Sequence, residues 1–118
     1  MVTYKVIITE SGIETLSAIR DQRVQKILNN RIGGLANNPE QQGVPLKDDM
    51  LGYRALHVLK NRYRIIFRVD DEIVTVFVVA AGIRKSGDKS DIYEALKRYT
   101  RLGLIEAPKK KPAKTRKK

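Results

Sequence analysis

Apolar and polar positions along the chain alternate between a period of two and a period near 3.6, and the changes mark the elements. Residues 3–9 (TYKVIIT) are β-branched and aromatic and predict a first strand. Ser11 with Glu14 three positions on has the form of a capping box and opens a short helix carrying Ile13, Leu16 and Ile19 on one side. Asp21 is placed to cap a second helix with Val24, Ile27, Leu28, Ile32 and Leu35 on its buried face. Gly33-Gly34 is awkward inside that helix and marks close packing or fraying. A loop rich in Asn, Gln, Pro and Gly runs from Ala36 to about Met50. Three strands follow: Tyr53 to Leu59, Tyr63 to Val69, and Ile73 to Ala81. The third is apolar on both faces, which places it in the middle of a sheet. A last helix starts near Asp91, with Glu94 as the partner of its cap and Ile92, Leu96 and Tyr99 as its apolar stripe. The predicted fold is α+β in the order β-α-α-β-β-β-α, a four-stranded antiparallel sheet with helices packed on one face.

Strand parity sorts the arginines. Tyr63, Ile65, Phe67 and Val69 share the core face of their strand, so Arg64 and Arg68 project from the other side, with Arg62 just before the strand. In the preceding strand Arg54, Leu56 and Val58 share one face and Tyr53, Ala55, His57 and Leu59 the other. The hairpin register decides which set joins Arg64. A three-residue loop brings Arg54 to its side, whereas a two-residue loop at Lys60-Asn61 pairs His57 with Arg64. Guanidinium groups on a sheet face suit phosphate, because arginine presents rigid paired donors. Arg84 lies just past the third strand of this group and Tyr93 nine residues later. If the intervening loop folds back, Arg64, Arg84 and Tyr93 converge on a cleft where a phosphodiester is open to attack by its own 2′-hydroxyl. Arginine would then stabilise the pentavalent charge, with acid–base work shared among Tyr, Arg and His57. Solvated surface and edge protection are the plainer roles of such arginines.

Charge sharpens the picture. The 118 residues contain 24 Lys and Arg against 13 Asp and Glu, a formal net charge of +11. Residues 108–118 hold seven of the basic residues and no acidic one, so the chain divides into a domain over 1–107 and a basic tail expected to be disordered. Both parts point to polyanionic partners. With no Cys and His57 as the single His, disulfide frameworks and Cys- or His-rich metal centres are excluded. The acidic groups Asp48-Asp49 and Asp70-Asp71-Glu72 fall in predicted turns, where Asp is favoured, so no metal or other cofactor is expected. The longest apolar stretch, Ile73 to Ile83, is too short to span a bilayer, and Met1 to Ser11 lacks a signal-peptide core. A soluble cytoplasmic protein without a membrane partner is the expectation.

The block YRIIFRVDDEIVTVFVVAAGIRKSGDKSDIYEALKRY, Tyr63 to Tyr99, resembles the signature region of the RelE/ParE superfamily of bacterial and archaeal toxins, and the predicted element order fits that fold. The resemblance spans roughly residues 3–102 and implies a toxin neutralised by a cognate antitoxin. It is nearer the RelE branch, whose members cut mRNA in the ribosomal A site without a metal, so ribosome and mRNA are the implied partners. On that resemblance Arg64 is the arginine that stabilises the transition state, Arg84 the one given a leaving-group or phosphate role, Tyr93 the tyrosine tied to 2′-hydroxyl activation, and Arg54 a first basic residue on the earlier strand. Arg62, Arg68, Lys85, Lys89 and His57 are the expected RNA contacts. A second basic residue would fall at Leu56 or at His57, and Leu56 would leave the site one cation short. The loop between Arg84 and Tyr93 is longer than in the shortest family members. The alternatives are a ParE-like inhibitor of DNA gyrase and a degenerate member that binds RNA or its antitoxin only.

Overall fold

The computed structural model describes residues 2–105; the basic tail expected over 108–118 lies outside them. The elements are β1 (Lys5–Ile8), α1 (Glu10–Ser17), α2 (Gln22–Gly33), β2 (Val44–Pro45), β3 (Arg54–Val58), β4 (Tyr63–Asp70), β5 (Thr75–Ile83) and α3 (Ile92–Arg101). They form an α+β fold around one sheet ordered β1-β5-β4-β3-β2. Three details differ from the sequence expectation. The sheet has five strands, because Val44-Pro45 pairs with Ala55 and Arg54. A two-residue strand ending in proline at a sheet edge has no alternation to read. The sheet is mixed, because β1 runs parallel to β5, and periodicity carries no strand direction. The helices also cover both faces, since an apolar stripe shows that a helix is buried but not on which side.

One core lies under α1 and α2, where Leu16, Leu28, Ile32 and Leu35 meet Leu56, Val58, Ile65, Phe67, Val76 and Val78. The other lies under α3, where Ile92 and Leu96 meet Tyr53, Ala55, Ile66, Val79 and Ala80. β5 is an interior strand as expected, between β1 and β4, while β4 holds the middle of the sheet. A bulge serves both cores, because Ile66 faces Ala80 while Phe67 faces Val78, leaving Val79 as the extra residue. Val79 and Ala80 thereby both join the α3 side, and Ala81 returns to the other.

The helix ends follow local chemistry. Asp21 caps α2 through the backbone N–H groups of Arg23 and Val24, as its position predicts. The cap of α1 is Thr9, which accepts from Gly12, and not Ser11. Ser11 is buried and donates to the Val79 carbonyl at 2.7 Å. Thr15, one turn on, accepts from the Ala81 N–H at 3.0 Å. β1 stops at its Ile8–Val78 pair, so these two hydroxyls satisfy the edge of β5 that no strand covers. Thr15→Val keeps the shape but leaves the buried Ala81 N–H without a partner. It is expected to lower unfolding stability by about 1–3 kcal/mol, read by urea titration. Gly33 and Gly34 have open space around them, so the glycine pair ends the helix and does not serve close packing.

Candidate active site

The hairpin between β3 and β4 resolves the arginine question. Val58 faces Tyr63 and His57 faces Arg64, the register of the two-residue alternative. Leu59, Lys60 and Asn61 all take positive φ (55°, 55° and 70°), which supplies the tight twist that joins the strands. His57 therefore shares a face with Arg64, together with Ala55 and Tyr53, while Leu56 is buried in the core under α1 and α2. Of the two, His57 and not Leu56 therefore lies on the Arg64 face, and the next residue along that face is the neutral Ala55. Arg54 alternates with them and lies on the opposite face. Its guanidinium donates to the carbonyls of Gln42 (2.9 Å) and Gly43 (3.2 Å), so it fastens the loop into β2 instead of joining Arg64.

Arg64 stands opposite Gly82 on β5. Its Nη1 donates to the Asn61 carbonyl of the hairpin turn, and its Nε is buried with no hydrogen-bond partner. A buried unpartnered donor is costly to the fold. Arg84 emerges two residues after Gly82, on the same side, and its N–H bonds to the Arg62 carbonyl at 2.7 Å, closing the sheet end. The Arg84 guanidinium sits 4.8 Å from the centre of the Tyr93 ring and bonds Asp91 at 2.7 Å. The segment from Arg84 to Tyr93 thus folds back on itself, and His57, Arg64 and Arg84 lie at the same end of the sheet on the α3 side. This side is not open, since α3 roofs its middle over Ile66 and the arginines flank the roof.

The expected RNA contacts scatter. Arg62 is exposed at the turn. Arg68 lies further along β4, its guanidinium 4.3 Å from the Phe77 ring centre and 4.0 Å from Asp70. Lys85 is exposed and 3.5 Å from Asp88. Lys89 lines a cleft of about 400 Å³ between the end of α1, the end of β5 and α3, with Arg20 and Arg98. Among the described residues no cluster of three His, Asp or Glu could hold a metal ion, and no helix is long and apolar enough to cross a membrane.

The residue that sequence reading assigned only to capping is Asp91. It is 2% exposed and caps α3 through the Tyr93 N–H at 3.1 Å. The same carboxylate accepts from Lys85 N–H (2.6 Å) and from Arg84. Burial alone would push its pKa up, but the Arg84 hydrogen bond, the two backbone N–H groups and the Arg84 charge outweigh this and hold it below the usual carboxylate range. A carboxyl with a depressed folded pKa stabilises the fold fully above its unfolded value, about 3.9. That contribution is lost as the pH falls through the lower folded value. Wild-type stability is therefore expected to drop as the pH falls below about 4, and Asp91→Asn to flatten part of that drop, read from denaturation midpoints across the acid range.

The fold matches that of known toxins. The chain belongs to the ParE toxin family of type II toxin–antitoxin systems, whose model matches residues 6–85, more than half of the sequence. No curated protein sequence matches it. Among solved structures it is similar to the RelBE2 toxin–antitoxin complex of Mycobacterium tuberculosis, with 26% identity and a TM-score of 0.60 over 71% of this chain and 94% of that one. It is also similar to a mutant of the E. coli toxin RelE in the free state, with 22% identity and a TM-score of 0.61 over 81% and 97% of the two chains. The chromosomal ParDE system of P. aeruginosa gives 16% identity and a TM-score of 0.58 over 69% and 96%. The last two likenesses concern the fold.

Proposed function

We propose that this toxin, neutralised by a cognate antitoxin, is a metal-independent endoribonuclease that cuts mRNA on the ribosome. The observation that carries the reading is the grouping of His57, Arg64, Arg84 and Tyr93 at one end of the sheet. In the proposed reaction the 2′-oxygen of a nucleotide attacks its own 3′-phosphorus, and the P–O5′ bond breaks. The Tyr93 hydroxyl orients the 2′-hydroxyl, and His57, the only imidazole of the chain, takes its proton. Arg64 meets the charge that builds on the equatorial oxygens, using the paired donors that only arginine offers. Arg84 faces the departing 5′-oxygen, which takes a proton from water. The products are a 2′,3′-cyclic phosphate and a 5′-hydroxyl. Arg62, Arg68, Lys85 and Lys89 would hold the RNA backbone, although only Arg62 and Lys85 lie next to the four central residues in sequence.

A second reading has its own support. Arg84 is committed to Asp91, and Ala55 puts a neutral side chain on the site face, so the site carries less free positive charge than four arginines and lysines would give it. A protein-binding toxin that inhibits DNA gyrase needs no such charge. Primer extension on mRNA incubated with the toxin, with and without translating ribosomes, separates the two. Ribosome-dependent cuts support the ribonuclease. A toxin that stops growth without cutting RNA, and that blocks gyrase supercoiling in vitro, replaces it.

A further inference from the structure

We propose that Asp91 is the positioning residue that presents Arg84 and Tyr93 to a phosphodiester as a single rigid unit. This rests on the ribonuclease reading above. Three structural facts meet at its carboxylate. One oxygen accepts from both Arg84 Nη1 (2.7 Å) and the Lys85 N–H (2.6 Å), which fixes the point where the chain leaves β5. The other accepts from the Tyr93 N–H (3.1 Å), which fixes the first turn of α3. The Arg84 guanidinium, so held, lies over the Tyr93 ring at 4.8 Å. An arginine with about a third of its side chain exposed would otherwise sample many rotamers, whereas Asp91 is 2% exposed and has no such freedom. A bond at Nη1 also leaves Nε and Nη2 of Arg84 available for a phosphate.

Asp91 touches neither substrate nor reacting atoms in this scheme. It acts through Arg84, so its loss should slow the chemical step more than it weakens binding. Because the anchor is buried and the group it holds is partly exposed, a substitution that spares the helix can separate the two. Asp91→Ser retains a good N-cap but is too short and uncharged to hold Arg84. Asp91→Asn retains the length and an acceptor oxygen without the charge, and serves as the second variant should the first fold poorly.

Two readouts decide the proposal. The first is the NMR signal of the Arg84 guanidinium in the free, full-length toxin. Hindered rotation about its Nη1 bond in the wild type, lost in Asp91→Ser while the amide signals of α3 persist, is the expected result. Free rotation in the wild type overturns the proposal. The second is the rate of mRNA cutting on ribosomes. With Asp91→Ser, kcat is expected to fall on the order of 100-fold with KM within about threefold, and Asp91→Asn to recover part of it. A wild-type rate in Asp91→Ser, or a loss confined to KM, overturns the positioning role while the ribonuclease reading stands. A wild-type toxin that cuts no RNA removes the ribonuclease reading and the catalytic role with it, whatever the NMR signal shows.

Discussion

Arg64→Ala is expected to reduce mRNA cutting by about 100-fold or more, and to relieve growth arrest, with little change in unfolding temperature. Arg64 differs from Arg84 in having no carboxylate partner among the described residues. Its Nη1 bonds the Asn61 carbonyl, and its Nε has no partner. Nothing in the fold therefore needs its charge, whereas a pentavalent phosphorane would. Removing an unpartnered buried donor relieves a cost that offsets the loss of the Nη1 bonds to the Asn61 and Tyr63 carbonyls, so the folded state should change little. Arg64→Lys separates charge from geometry. A lysine restores a point charge without the planar fork and is expected to recover only a minor part of the rate. The measurement is the cleavage rate by primer extension on translating ribosomes, with denaturation midpoints of all three proteins. Full activity in Arg64→Ala would remove this face from the mechanism.

How much of this was legible in the sequence depends on what kind of information each step needed. The period of apolar residues placed all three helices and the four longer strands to within a few residues, because burial on one face leaves a repeating mark. Val44-Pro45 left none, and the parallel placement of β1 beside β5 is a matter of topology that no local pattern records. The site was half legible. Alternation put Arg64 and Arg68 away from the first core, as found, but missed that Ile66 between them is fully buried under α3. Read alone, Ile66 was the signal that this face is also covered. Arg54 shows the limit of residue type without register: one position along β3 decides between the site and the opposite face. Asp91 was recognised as a cap, and its second bond to Arg84 depends on a loop geometry that sequence does not give.

Gly12→Ala is expected to destabilise the domain by about 3 kcal/mol or more, lowering its unfolding temperature by roughly 10 °C or more. The sign is the informative part. In an ordinary helix interior the same change is favourable by about 1 kcal/mol, because alanine is the better helix former. Here a Cβ would lie 2.5 Å from the Val78 carbonyl oxygen and 2.9 Å from Cγ2 of Ile8. The first is backbone of β5, held between β1 and β4, and cannot step aside, so α1 would have to lift. Lifting it breaks the bonds that seal the uncovered edge of β5, from Ser11 to the Val79 carbonyl and from the Ala81 N–H to Thr15. Gly33 supplies the control. It is in right-handed helical geometry (φ −58°, ψ −35°), and a Cβ added there would meet nothing within 4 Å. Gly33→Ala should therefore stabilise by about 0.5–1 kcal/mol. Paired urea titrations of the two variants then test the packing of α1 on β5 directly. If Gly12→Ala were as stabilising as Gly33→Ala, the helix could not lie against Val78 as described. The end of β5 that carries Arg84 would then lack the support that holds it beside Arg64.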